Sequence, residues 1–235
     1  MDDPCPKHPG EPVVGCLRCR DDLLEVRDKE GLRAWAAWKL HAECATRFPR
    51  RFATAAVDHP DVKDWVETWR TDPDSSPSLL LAGLVGVGKT YQAYAALREV
   101  ATTVRQDPRY MTRVSGPSWE AVTSADLYAS LRPRSGVDTE RQMEAYRNAE
   151  VLLIDDLGAA KSSEWVEETT YRIISGRYDD MKASIFTTNV PTPDLKNALG
   201  NRIASRLAES CRVVVLDGPD RRRTKPTSRT HEEHQ

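Results

Sequence analysis

Residues 79–90 constrain the chain more than any other stretch. They read Leu79-Leu80-Leu81-Ala82, then Gly83-Leu84-Val85-Gly86-Val87-Gly88-Lys89-Thr90. This is a short apolar run, the pattern G-x-x-x-x-G-K-[ST], and then a helix-like repeat at Tyr94, Leu97, Ala101 and Val104. A strand that turns through such a loop into a helix gathers backbone N–H groups and the positive end of the helix around one point. Gly83, Gly86 and Gly88 allow φ > 0 and let the backbone approach a polyphosphate with no Cβ in the way. Lys89 supplies a point charge for the β- and γ-phosphates, and the Thr90 hydroxyl is a natural Mg²⁺ ligand. The whole loop, Gly83 to Thr90, is the expected nucleotide-binding element. Its context predicts an α/β fold with a parallel sheet.

A second chemical feature follows about 65 residues later, at Val151-Leu152-Leu153-Ile154-Asp155-Asp156-Leu157-Gly158. A continuous apolar run that ends in acids fits a buried parallel strand whose carboxyl end opens on a site. Asp155 is the expected second Mg²⁺ ligand, and Asp156 the group that orients or deprotonates an attacking water. Ser184-Ile185-Phe186-Thr187-Thr188-Asn189 repeats this pattern, with Asn189 at its polar tip. Trp119–Thr123 and Arg212–Leu216 are two further expected strands. Arg202 and Arg206 fall one helical turn apart and share a face.

The amino-terminal segment reads differently. Three of the five cysteines fall in the first nineteen residues, in Cys5-Pro-Lys-His8 and Cys16-Leu-Arg-Cys19. Two pairs of that spacing can close a tetrahedral Zn²⁺ site, and a segment this small cannot fold on buried area alone. Residues 1–20 are therefore expected to be a zinc module. A helical segment follows over 21–47, with Leu32, Trp35, Trp38, Ala42 and Ala45 on one face and a break at Gly31. A second helix carries Val62, Trp65, Val66 and Trp69 as a core stripe. Gln106 to Ser118 reads as a surface loop, and helices are expected over 125–131 and 139–149.

Composition excludes several classes. Mean hydropathy is -0.59, and no apolar run approaches the ~18 residues of a membrane span. The first residues have no apolar core of a secretory signal, so a cytoplasmic location is expected. Thirty-four basic against thirty-six acidic residues leave a net charge of -2, which excludes a strongly basic nucleic-acid binder but not a local basic patch. The tail from Thr224 is polar and charged, as disordered segments are.

Taken together, these motifs resemble the DnaC/DnaI-type replicative helicase loaders of the AAA+ class and are also similar to the IstB-type transposition ATPases. The likeness runs from about Phe48 to Arg223. It rests on the phosphate loop, Leu152–Gly158 with Ser163-Glu164-Trp165, Thr187-Thr188-Asn189, Gly200–Leu207, and Gly218-Pro219-Asp220-Arg221-Arg222. It implies an AAA+ P-loop core over 48–218 with a five-stranded parallel sheet and no full carboxyl-terminal lid. The 219–235 end would carry the sensor 2 position. By that likeness Lys89 and Thr90 are Walker A, Asp155 and Asp156 Walker B, and Asn189 sensor 1. Arg206 is the arginine finger presented to a neighbouring subunit, with Arg202 as the alternative, and Arg222 is sensor 2. The implied partners are ATP, Mg²⁺, a hexameric replicative helicase, single-stranded DNA and further copies of the chain. Arg132, Arg134 and Arg141 are expected to lie on the DNA-facing element. The zinc module favours a loader over a transposition ATPase, and a nucleotide-gated adaptor with little hydrolysis is the third reading.

Overall fold

The computed structural model describes residues 4–5, 8–12, 29–106, 114–136 and 138–221, with side chains over 31–105, 114–136 and 138–221. The chain divides into two compact units, Met1–Arg47 with Thr102–Gly116, and Phe48–Ala101 with Pro117–Gln235.

In the first unit, β1 (Pro4–Cys5) pairs antiparallel with β2 (His8–Pro12), which sets the Cys5 backbone opposite His8. The side chains of the expected zinc ligands Cys5 and His8, and Cys16 and Cys19 altogether, lie outside the described residues. Helix α1 spans Lys29–Arg47. Gly31 sits inside its first turn rather than in a break before the helix. The buried positions are Leu32, Ala36 and Cys44, a seam at multiples of four. Trp35 and Trp38 flank that seam half-buried, and Ala45 is exposed. The apolar stripe is thus rotated from the expected one, with Leu32 common to both. The ends of the expected 106–118 loop are also paired, as the short ribbon β4 (Arg105–Gln106) and β5 (Val114–Ser115).

The second unit opens with a turn at Arg50–Phe52 and then helix α2, Pro60–Thr71. Pro60 at the first helical position suits the start, and His59 Nδ1 accepts from the Asp61 N–H at 3.3 Å. Val62, Trp65, Val66 and Trp69 are all buried, and the Trp65 indole donates to the Pro77 carbonyl at 2.7 Å. Burying a side chain of this size contributes ~1.5–3 kcal/mol. Strand β3 (Ser78–Gly83) leads through the glycine loop into α3 (Lys89–Ala101), which ends short of Val104.

There follow β6 (Trp119–Thr123), α4 (Ser124–Leu131), α5 (Thr139–Asn148), β7 (Val151–Asp155) and α6 (Glu164–Asp179). Then come β8 (Ser184–Thr188), α7 (Leu195–Leu199), α8 (Asn201–Ser210) and β9 (Cys211–Leu216). Two starts are capped as their residues dictate. Thr123 Oγ1 accepts from Asp126 N at 3.1 Å and Ser163 Oγ from Val166 N at 3.3 Å.

All five expected strands form one sheet in the order β6-β7-β8-β3-β9, and every neighbouring pair is parallel. Leu80, Leu152, Ile154 and Phe186 share one face with side chains of α4, α5, α6 and α8. The alternate residues Leu79, Leu81, Leu153 and Ile185 point to the other face, and α3 packs across β3, β7 and β8. Because β3 lies between β8 and β9, the chain leaving it crosses to the far side of the sheet. A crossover of that kind leaves a crevice at the carboxyl ends of the strands.

Candidate nucleotide-binding site

An open pocket of about 1150 Å³ lies at that crevice. Gly86, Gly88, Lys89 and Thr90 line it from the loop after β3, Asp155 and Asp156 from the end of β7, and Asn189 from the end of β8. The sheet thus gathers residues that the sequence spreads over about a hundred positions.

Gly83, Gly86 and Gly88 all take positive φ, at 148°, 89° and 105°. The need for glycine is steric as well. A Cβ on Gly83 would stand 2.3 Å from the Leu216 carbonyl oxygen, and one on Gly86 2.1 Å from Asp220 Oδ1. Leu84 and Val85 face outward and are well exposed, whereas Val87 is buried under the loop. Lys89 is 5% exposed. Its Nζ donates to the Gly83 and Leu84 carbonyls at 2.8 and 2.7 Å, so the loop holds the ammonium on neutral oxygens.

Asp155 is the electrostatic centre. Its Oδ1 accepts from Thr90 Oγ1 at 3.0 Å and from Thr187 Oγ1 at 2.6 Å. Burial pushes the carboxyl above its ordinary value; the Thr187 bond draws it back, the Asp156 charge pushes it up again, and Thr90 draws it back. A buried carboxylate held by neutral donors and no cation of the protein suits a metal cation. Together with the Thr90 hydroxyl it supplies the hard oxygen ligands that Mg²⁺ takes. The residues present therefore fit a nucleoside triphosphate with its magnesium.

Asp156 has a left-handed backbone, φ 57°, which is uncommon outside glycine and worth tracing to a use. Contacts with three side chains fix it, and its carbonyl also accepts from the Ala159 N–H at 3.1 Å. Its N–H donates to Thr187 Oγ1 at 2.8 Å, its carbonyl accepts from Ser124 Oγ at 2.8 Å, and its Oδ1 accepts from Asn189 Nδ2 at 3.1 Å. The strain turns the second acid away from the strand line and onto Asn189, at the mouth of the pocket.

The remaining predicted positions fall elsewhere. Arg202 and Arg206 lie on α8 and do not line the pocket. Arg222 lies outside the described residues. Its neighbour Arg221 lines the pocket, with its N–H donating to the Gly86 carbonyl at 3.0 Å and its guanidinium 3.2 Å from Asp58. Arg132, Arg134 and Arg141 are exposed, and Arg132 lies over the Trp165 ring at 5.6 Å.

Sequence reasoning passed over Arg51, Phe52, Asp58, Tyr91 and Arg221, which complete the wall. Phe52 stacks on Tyr94, with centroids 4.8 Å apart. Gln92 ties Asp58 down, accepting from the Asp58 and His59 N–H groups and donating to the Asp58 carboxylate. Two of them carried a signal, Tyr91 by following the loop directly and Arg221 by standing beside Arg222 in the Gly218–Arg222 stretch.

This geometry has close counterparts. The solved structure of the DnaC helicase loader superposes with a TM-score of 0.58 and 26% identity, covering 72% of this chain and 100% of that one. DnaI gives 0.60 and 23%, covering 74% and 94%. In sequence, the replicative helicase loader DnaC of Escherichia coli K12 is 22% identical over 157 residues, 66% of this chain and 59% of DnaC. The core is an AAA+ fold of the DnaC/DnaI type. The AAA+ likeness extends to the chromosomal replication initiator DnaA of Levilactobacillus brevis, 29% identical over 137 residues, 58% of this chain and 28% of that protein. The match thus spans under two thirds of the DnaC relative's length and under a third of the DnaA relative's. No protein-family model matches it. Among the described residues no helix is long and apolar enough to cross a membrane.

Proposed function

We propose that the chain is an ATP- and Mg²⁺-dependent loader that places a hexameric replicative helicase on single-stranded DNA in the cytoplasm. One observation carries this reading. Lys89, Thr90, Asp155, Asp156 and Asn189 converge on a single pocket, in a core that resembles a solved helicase loader.

In this reading the loop N–H groups and Lys89 bind the β- and γ-phosphates. Thr90 and Asp155 would hold magnesium, which would supply positive charge to those phosphates. Asp156 and Asn189, already hydrogen-bonded to each other, hold the attacking water in line. Arg206, or Arg202, completes the charge stabilisation in the pocket of the adjacent subunit, so hydrolysis depends on assembly. Residues 48–218 are the motor, and residues 1–47 grip the helicase. Zinc on Cys5, His8, Cys16 and Cys19 would staple that grip, a reading supported by their spacing and by the Cys5–His8 backbone pairing.

Mass photometry of the full chain with a candidate replicative helicase and ATP, against a chain starting at Phe48, tests the proposal. A complex that requires residues 1–47 is the expected result. ATP-driven assembly on duplex DNA, with no complex with any helicase, would point instead to a transposition ATPase.

A further inference from the structure

The two arginines of α8 are not simply solvated. The Arg206 guanidinium carbon lies 4.6 Å from the Tyr178 ring centre and 5.6 Å from that of Tyr171. Arg202 lies over the Tyr171 ring as well, at 5.8 Å. Both tyrosines belong to α6. Arg206 comes close enough to the Tyr171 hydroxyl to draw the phenol below its ordinary value, and the phenol raises the arginine in turn. Tyr178 is fixed in turn, its hydroxyl donating to Glu209 at 2.5 Å. The Arg206 side chain is only 25% exposed, and its nearest carboxylate, Asp179, stands 3.9 Å away and is itself 64% exposed.

A long cation on a helix surface ordinarily keeps its rotamer freedom. Here two rings remove it without cancelling the charge. Stacking occupies the faces of a guanidinium and leaves most of its N–H edge, the part that forks onto a phosphate. Holding that edge in place beforehand lowers the ordering cost when it meets an anion.

We propose that Tyr171 and Tyr178 are positioning residues that pre-order the Arg202/Arg206 pair for the phosphates of a neighbouring copy's nucleotide. This rests on the reading above that an α8 arginine acts across the subunit boundary.

Mixed assemblies test it. The donor subunit carries Lys89→Ala and cannot engage nucleotide, while the acceptor carries Arg202→Ala and Arg206→Ala and cannot supply the arginine. Hydrolysis then arises only where a donor's arginines meet an acceptor's pocket. Adding Tyr171→Leu and Tyr178→Leu to the donor removes all three cation–π contacts and is expected to lower kcat by about 5–30-fold with KM unchanged, the loss that the two contacts of Arg206 alone would give. The same leucines in the acceptor leave the rate unchanged, and phenylalanine at both positions in the donor restores most of it. A leucine donor as active as the unmodified one overturns the proposal. So does an equal loss from either side, which would mark a merely structural role. If the unmodified donor fails to stimulate the acceptor at all, the trans-acting arginine itself is wrong and the proposal falls with it.

Discussion

The two ends of the sheet both bury polar groups, and they do so in opposite ways. At the amino ends of β3 and β8, Arg177 of α6 is 1% exposed. Its Nε donates to Ser184 Oγ at 2.8 Å and its terminal nitrogens donate to the carbonyls of Tyr146, Ala149 and Ala183. Burial draws Arg177 down to about 9, and the Asp180 charge opposes this. Ser78 Oγ meanwhile accepts from the Ser184 N–H at 3.0 Å. The hydrogen bonds of that network are all internal, although Arg177, Ser78 and Ser184 also border a smaller cavity of about 600 Å³. At the carboxyl ends, Lys89 rests on two carbonyls, Asp155 on two hydroxyls and Asp156 on one amide. Charge there is solvated just enough to stay folded and faces an open pocket. A buried polar group whose partners are all internal holds the fold together; one that keeps its charge against an opening is available for chemistry.

Two substitutions would break that comparison if it is wrong. Lys89→Ala is expected to lower ATP hydrolysis by about 10²–10³-fold, the loss typical of one pre-organised donor. Its unfolding free energy should move by less than about 1 kcal/mol. Arg177→Ala is expected to show the reverse. It strands several buried carbonyls, each worth about 1–3 kcal/mol when unpaired, so urea unfolding should report a loss of at least about 3 kcal/mol. The protein that remains folded should bind nucleotide as before. Arg177→Lys restores only part, since an ammonium has three donors and lacks the planar fork. Loss of nucleotide affinity in folded Arg177→Ala would show that the two ends are coupled.

Much of the carboxyl end was legible because its residues follow their own strands. Val151–Ile154 is apolar without alternation and ends in Asp155; set some 65 residues after the phosphate loop in a chain alternating strand and helix, that pattern points to a buried strand and to the place where it opens. Asn189 was legible for the same reason. Arg177 was not: in the sequence it is one more charge on an amphipathic helix, and its role comes from carbonyls some thirty positions away. Asp58 and Phe52 were invisible for a similar reason, and Arg221, though part of a quoted motif, was not legible as Asp58's partner, since the two meet across 163 positions. The left-handed backbone of Asp156 depends on Ser124 and Thr187, which no local pattern connects. Gly31 misled in the other direction. A glycine in the first helical turn is tolerated when the residues after it pack, and periodicity cannot separate that from a break.

The smallest effect concerns how the carboxyl end is held before ATP arrives. Residues after β9 cross the phosphate loop, with the Arg221 N–H on the Gly86 carbonyl and Asp220 against Gly86 itself. Arg221 pairs with Asp58 at 3.2 Å, both side chains being about half exposed, at 52% and 56%. A pair this exposed is worth at most about 1 kcal/mol. If Arg221 turns from Asp58 to a phosphate when nucleotide binds, that contact must first be given up. Asp58→Asn removes the charge but keeps an amide oxygen to accept from Gln92 Nε2, so the pocket wall stays in place. ATP affinity, followed with a fluorescent nucleotide, should then tighten by about 2–5-fold at low salt. The gain should fade at high salt, where screening has already weakened the pair. Unchanged affinity at low salt would mean that Arg221 keeps its partner and stays clear of the phosphates. Weaker binding would instead assign Asp58 to the wall that Gln92 supports, making it part of the site rather than its restraint.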